Sequence, residues 1–198
     1  MAFLKGSFLI EVAKNPKMED FKRNYIVEEL SKAEITIFLS HSHKDKFLAD
    51  GFKNLLAQYK YKVYIDWQDY SLPDTPNRKT AERIKEKIKT SDFFILLATY
   101  NALSSRWCPW ELGIADGVKS ENSILIVPII SDSEKFEGNE YLQLYNRVEI
   151  SSDEKLLVLK PEVKEYNITL QESEIIRKYR NSSTLKEFIE RRRRKYLL

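Results

Sequence analysis

Strand–helix alternation, with strands apolar from end to end, predicts an α/β fold: a parallel sheet with helices covering both faces. Three observations carry this. "EITIFLS" (34–40), "FFILLAT" (93–99) and "SILIVPII" (123–130) are runs of β-branched, aromatic and other apolar residues, the pattern of strands buried on both sides. Amphipathic stretches at helical spacing lie between them, and strand–helix–strand repetition calls for parallel pairing. The length of 198 residues suits one domain of about 150 residues with additions.

The elements follow in order. Residues 1–32 form an N-terminal extension, in which "MEDFKRNYIVEELSK" (18–32) spaces Phe21, Tyr25 and Leu30 as a short amphipathic helix. After the first strand, "KDKFLADGFKNLLAQYK" (44–60) puts Phe47, Leu48, Phe52, Leu55, Leu56 and Tyr59 at helical spacing, and "KVYIDW" (62–67) is the second strand. "QDYSLPDTPNRK" (68–79) carries Pro73 and Pro76 among turn formers and reads as a loop. Its length exceeds that of an ordinary connection in an α/β unit, which marks it as functional. "TAERIKEKIKTSD" (80–92) is a helix with Ala81, Ile84 and Ile88 on one face. A further helix starts within "SSRWCPWELGIADG" (104–117). The pattern weakens after residue 131: "YLQLYNRVEI" suggests a short helix running into an edge strand, and 183–198 a terminal helix. The domain core is therefore placed at 33–150, with 151–198 packing on it or completing it.

Composition narrows the function classes. Charged residues make up 32% but nearly balance, leaving a formal +3, too little to indicate a nucleic-acid partner. The basic run Arg191–Lys195 reads as a solvated helix end. One cysteine excludes an internal disulfide and suits a reducing cytoplasm, and one cysteine with two histidines argues against a structural metal. Near the start, Phe3, Leu4, Phe8, Leu9 and Ile10 are interrupted by Lys5 and Glu11, and no small-residue cleavage site follows. No stretch approaches the roughly 18 apolar residues of a membrane span. The expectation is a cytoplasmic protein without a membrane partner.

Ligands of open parallel sheets bind at the carboxyl ends of the strands. Those ends are Ser40-His41-Ser42, Asp66-Trp67, Thr99-Tyr100-Asn101 and Ile130-Ser131. Neither the dinucleotide fingerprint nor the P-loop follows the first strand. The paired acidic residues of a Mg²⁺-dependent phosphoacceptor are missing from "FLSHSHKD", and the spacing of Cys108 to the histidines does not specify a nucleophilic triad. What stands out is Glu111 beside Trp107, Cys108, Pro109 and Trp110.

Two readings of Glu111 are open from the pattern alone. With Pro109 at the first helical position, Glu111 is third, where a carboxylate satisfies free N–H groups and the helix dipole. Alternatively Trp107 and Glu111, at i and i+4, pair an aromatic plane with a carboxylate, an arrangement suited to a flat ring leaving a sugar through an oxocarbenium-like transition state. A leaving group that is already cationic, such as nicotinamide in NAD⁺, needs no general acid.

Taken together, "ITIFLSHSHKD", "VYIDWQD" with its proline-bearing loop, "TAERIKEKIKTSDFFILLAT", "SSRWCPWELG" and "ILIVPII" resemble the Toll/interleukin-1 receptor (TIR) domain, bacterial members most closely, over about residues 33–150. The resemblance implies a flavodoxin-like three-layer sandwich with a five-stranded parallel sheet. It implies NAD⁺ glycohydrolase or ADP-ribosyl cyclase activity, with NAD⁺ as substrate and no cofactor or metal. Glu111 matches the family's catalytic glutamate and Trp107 the aromatic one turn before it. Ser40 and His41 match the strand end that lies against the nucleotide, and Trp67 joins them in shaping the pocket. Residues 68–79 match the loop through which family members self-associate. Compact members serve as the signal-making half of bacterial anti-phage pairs, as in Thoeris systems, where the product activates a separate effector. Two other classes compete: a non-catalytic TIR–TIR interaction module, and a nucleoside N-glycosyl transferase or hydrolase of similar fold.

Overall fold

The structure, a computed structural model, describes residues 3–14, 35–59, 61–69, 77–130, 140–161 and 182–196, with 192–196 as backbone only. The apolar runs become the middle of one sheet. The strands are β1 (Leu4–Lys5), β2 (Thr36–Ser40), β3 (Lys62–Tyr64), β4 (Phe93–Ala98), β5 (Ile124–Ile130), β6 (Asn146–Ile150), β7 (Leu156–Leu159) and β8 (Ser183–Thr184). The helices are α1 (Gly6–Lys14), α2 (Lys46–Ala57), α3 (Arg78–Thr90), α4 (Tyr100–Leu103), α5 (Cys108–Val118) and α6 (Leu185–Tyr196).

Strand order is β3-β2-β4-β5-β6-β7-β8. The first five pair in parallel, as expected, and β7 and β8 extend the sheet antiparallel. The expected edge strand, β6, is therefore an interior one. β1 adds a parallel pairing to the carboxyl end of β5, Leu4 opposite Ile129 and Lys5 opposite Ile130. Every residue of β4 and β5 is buried, which is why these two runs show no polar alternation.

Side chains nevertheless alternate between two cores with the period of two that a strand imposes. Ile37, Leu39, Ile95, Leu97, Leu125 and Val127 face one side, with Leu9 of α1, Phe52 and Leu56 of α2 and Ile189 of α6. Phe38, Phe94, Leu96, Ile124 and Ile126 face the other, with Ile84 and Ile88 of α3 and Cys108, Leu112 and Ala115 of α5. Three layers result. Phe47 departs from its expected place on the apolar face of α2: it is 70% exposed, because the packed stripe runs through Ala49, Phe52 and Leu56 instead.

Helix α3 starts at Arg78, two residues before the expected Thr80, because Asn77 caps it. Asn77 Oδ1 accepts from the N–H groups of Lys79 and Thr80, and Thr80 Oγ1 accepts from Asn77 N–H, a reciprocal capping box. Helix α5 starts at Cys108, so Glu111 is its fourth residue rather than its third. The expected helix at 18–32 and most of the 68–79 loop lie outside the described residues.

Residues 3–14 are bound into the core. Leu4 and Leu9 are fully buried, and α1 crosses α2 so closely that a Cβ on Gly51 would stand 2.0 Å from the Leu9 carbonyl oxygen. Only a residue without a side chain permits that backbone approach. Gly51→Ala should therefore cost about 1–3 kcal/mol by forcing the helices apart. Gly113→Ala, in α5 with nothing within 4 Å of the new methyl, should stabilise by about 0.5–1 kcal/mol. Urea unfolding of both variants tests the pair; equal effects would refute the close approach.

Candidate active site

Strand β2 delivers Ser40 and His41 to the carboxyl edge of the sheet, where Ser40 lies opposite Leu96 of β4. Helix α5 begins past the end of β4 and turns Glu111 back toward this edge. The two meet directly: Ser40 Oγ donates to Glu111 Oε2 at 2.6 Å, with Ser40 1% and Glu111 4% exposed. The Glu111 backbone N–H donates to the Trp107 carbonyl at 2.8 Å, while its carboxylate reaches across to β2. Trp107, at the N-cap of α5, offers no side-chain cap.

The electrostatics of Glu111 are those of a charge without a counter-ion. No ion pair among the described residues involves it. Burial pushes its carboxyl up to about 8; the Ser40 hydrogen bond pulls the other way and the nearby Asp66 charge adds to the rise. Cys108 adjoins this pair, its thiol pushed up to about 12 by burial and by Glu111, against the hydrogen bonds of Ser105 and Ser40. A thiol so held is protonated and inert as a nucleophile at neutral pH.

His41 is 5% exposed. Its Nδ1 lies 3.1 Å from the Leu39 carbonyl and so donates to it, leaving Nε2 as a buried acceptor with no partner among the described residues. Burial lowers its pKa, outweighing the opposing pull of Asp66, and the ring is neutral at pH 7. His43, at the surface, reaches Asp66 Oδ2 at 3.2 Å. Asp66 also accepts from Trp67 N–H at 2.8 Å, and the Lys46 ammonium stands 5.2 Å from the Trp67 ring centroid. Asp66 is thus the hub joining the loop after β3 to that after β2.

The expected site residues fall into two groups. Ser40 and Glu111 are in contact, and Asp66 couples electrostatically to both Glu111 and His41. The tryptophans stand apart: Trp107 packs against the α3–α5 core and edge-on to Trp110 (centroids 5.2 Å, 87°), whereas Trp67 packs against the opposite core. Sequence reasoning missed that Ser40 is the hydrogen-bond partner of Glu111. The signal available was a hydroxyl at a strand end, with nothing nearby in the sequence to name its partner, 71 positions away. No group of residues able to hold a metal ion occurs among the described residues, and none of their helices is long and apolar enough to cross a membrane.

The folded state holds the Glu111 proton up to about pH 8, whereas the unfolded chain releases it near the ordinary 4.5. The stabilisation belonging to this proton is complete below the unfolded value and is lost as pH rises through the folded one. Glu111→Gln removes the dependence. Its melting temperature should exceed the parent's by a margin that grows between about pH 5 and pH 8.5, reaching a few degrees. Differential scanning fluorimetry across that range checks it; a margin independent of pH would mean the carboxyl ionises freely.

Comparison with known proteins bears on the family of the chain. Over 111 residues the chain is 37% identical to a Bacillus cereus (strain MSX-D12) protein named as a probable 3' cyclic ADP-D-ribose synthase ThsB'. The alignment covers 55% of this chain and 58% of that protein, so the chain spans little more than half of its relative's length. Residues 37–158, from β2 into β7, match the family described as the TIR domain. Most of the chain, including both partners of the buried Ser40–Glu111 contact, thus falls within that match, and the chain belongs to the TIR domain family.

Proposed function

We propose that this chain cleaves the nicotinamide–ribose bond of NAD⁺, with Glu111 as the essential carboxylate. The observation that carries the reading is a buried carboxyl at the sheet's carboxyl edge, held by the neutral Ser40 hydroxyl and, among the described residues, in no ion pair. Such a group gains most from a ligand that brings its own positive charge, because opposite charges strengthen in a dry site. The pyridinium ring of NAD⁺ carries that charge in the ground state, and the ribosyl oxocarbenium carries it in the transition state.

The bond change is simple. The C1′–N bond breaks with its electron pair going to the pyridinium nitrogen, which leaves as neutral nicotinamide without protonation. The electron-poor anomeric carbon then takes a nucleophile. Capture by water yields ADP-ribose and a proton. Capture by a group of the same molecule yields a cyclic isomer lighter by one water. The name of the Bacillus relative supports cyclisation as the product to seek first. In this reading Ser40 orients Glu111. Neutral His41 offers Nε2 as an acceptor for a substrate hydroxyl or amide N–H, and Trp107 and Trp67 shape the flanks. NAD⁺ is substrate, and no cofactor is required. Self-association through residues 68–79, a cytoplasmic location and a separate effector responding to the product complete the proposal, which places the chain as the signal-making half of a Thoeris-type anti-phage pair.

Incubation of concentrated protein with NAD⁺, with products resolved by chromatography and mass detection, tests this. Nicotinamide release should fall by about 10²–10³-fold in Glu111→Gln, and a nucleoside lacking the pyrophosphate should not be cleaved. Equal release from parent and variant would remove Glu111 from the mechanism, and none from either under crowding would favour a non-catalytic interaction module. Cleavage of the simple nucleoside would favour an N-glycosyl transferase or hydrolase.

The pH profile provides a second test. If the ionised Glu111 is the working form, log(kcat/KM) should rise with unit slope up to about pH 8 and then level. Ser40→Ala removes the hydrogen bond that favours ionisation, so it should move that midpoint upward and lower kcat about tenfold. A profile flat from about pH 6 to pH 9 in both proteins would contradict the role.

A further inference from the structure

Asp45 behaves unlike other residues of its type in its position. It occupies the N-cap of α2, where an aspartate ordinarily accepts from the first N–H groups of its own helix, yet its side chain makes no such bond. The buried carboxylate crosses to the neighbouring loop instead. It accepts from Thr99 Oγ1 at 2.5 Å and from Asn101 Nδ2 at 2.7 Å. Thr99 is engaged twice, since the same Oγ1 accepts from Ala102 N–H at 2.9 Å and so caps α4. The Asp45 N–H in turn donates to the Ser42 carbonyl at 2.8 Å. One carboxylate thus joins the start of α2 to the start of α4.

Each of those loops carries one partner of the Ser40–Glu111 bond. Ser40 and His41 lie just before Asp45 on the first. On the second, the chain runs from α4 through Ser105, whose Oγ accepts from Trp107 N–H at 3.1 Å, into α5 and Glu111. A hydrogen bond as short as 2.6 Å weakens with small displacements, and backbone pairing between β2 and β4 ends at Ser40 and Leu96. Beyond that point the separation of the loops depends on side chains.

We infer that Asp45 is a positioning residue for the Glu111 site: through Thr99 and Asn101 it fixes the spacing of the two loops and holds Ser40 against Glu111. The inference rests on the proposed NAD⁺ cleavage for its kinetic readout alone. Aspartate also suits this place because it presents a separate oxygen to each of the two donors, where a serine presents a single one.

Thr99→Val is the sharpest test of function, because it removes the donor to Asp45, together with the α4 cap that the same hydroxyl makes, without changing charge or outline. Steady-state nicotinamide release, melting temperature and a ¹³C NMR titration of the Glu111 carboxyl are measured together. Thr99→Val should lower kcat about 10–100-fold with KM held within about threefold, and should move the Glu111 midpoint by more than about 0.5 unit. Thr99→Ser, which keeps the hydroxyl, should restore parental values within about threefold. Should Thr99→Val fail to fold, Asp45→Asn carries the kinetic arm in its place. A folded Thr99→Val or Asp45→Asn with parental kcat and an unmoved Glu111 titration overturns the inference. If even the parent releases no nicotinamide, the NAD⁺ reading fails and the Glu111 titration in Thr99→Val decides by itself.

Discussion

The parallel pairing of β2 with β4 is the constraint on which the rest of this molecule depends. It places Ser40 opposite Leu96 and brings the loops that follow both strands to one edge. Parallel strands require crossovers over the sheet faces, and here α2 covers one face while α3 and α5 cover the other. The same arrangement that buries β4 and β5 completely thus collects Ser40, His41, Asp66 and Glu111 at the rim. A slip of one residue would exchange the two faces of β2, sending Phe38 to the wrong core and Ser40 away from Glu111.

At that rim the protein accepts an electrostatic cost. Burying a carboxyl beside a lone hydroxyl, with Asp66 nearby and no ion pair among the described residues, disfavours the charged form. A stability-driven design would place an apolar side chain there, or supply an arginine. Such unresolved polarity is characteristic of sites that await a partner. The buried Nε2 of His41, without a partner among the described residues, belongs to the same pattern. Asp45, by contrast, is fully engaged, and the difference separates groups that hold the site together from groups left available to a ligand.

Much of the fold was legible in sequence because its signals are local. Strands of six and seven buried residues leave an unbroken apolar run, and Ile84 and Ile88 mark the inner face of α3. Glu111 was legible because a carboxylate among two tryptophans and a proline is conspicuous. What escaped depends on distant partners. Ser40 meets Glu111 across 71 positions, and Asp45 meets Thr99 across 54, so nothing in their neighbourhood announces either contact. Residues 3–14 looked like an appendage because a strand of two residues has no period, and nothing near Gly51 in the sequence signals that α1 lies against it. Phe47 misled for the opposite reason: its spacing suited the stripe, but it is exposed while Ala49, Phe52 and Leu56 are buried.

The distribution of indole rings gives the molecule a built-in optical reporter. The sequence contains three tryptophans, and all three lie in the segments that follow β3 and β4: Trp67 beside Asp66, and Trp107 and Trp110 at the start of α5. Trp67 and Trp110 each have a lysine ammonium within 6 Å of the ring, and Trp67 Nε1 has no acceptor among the described residues. Intrinsic fluorescence excited above the tyrosine band therefore samples the rim of the sheet and is nearly blind to the phenylalanine- and isoleucine-filled interior. A quenching or wavelength change would register occupancy or rearrangement at the rim without any label, and a fluorescence-detected melt would follow local loosening there before the sheet itself gives way.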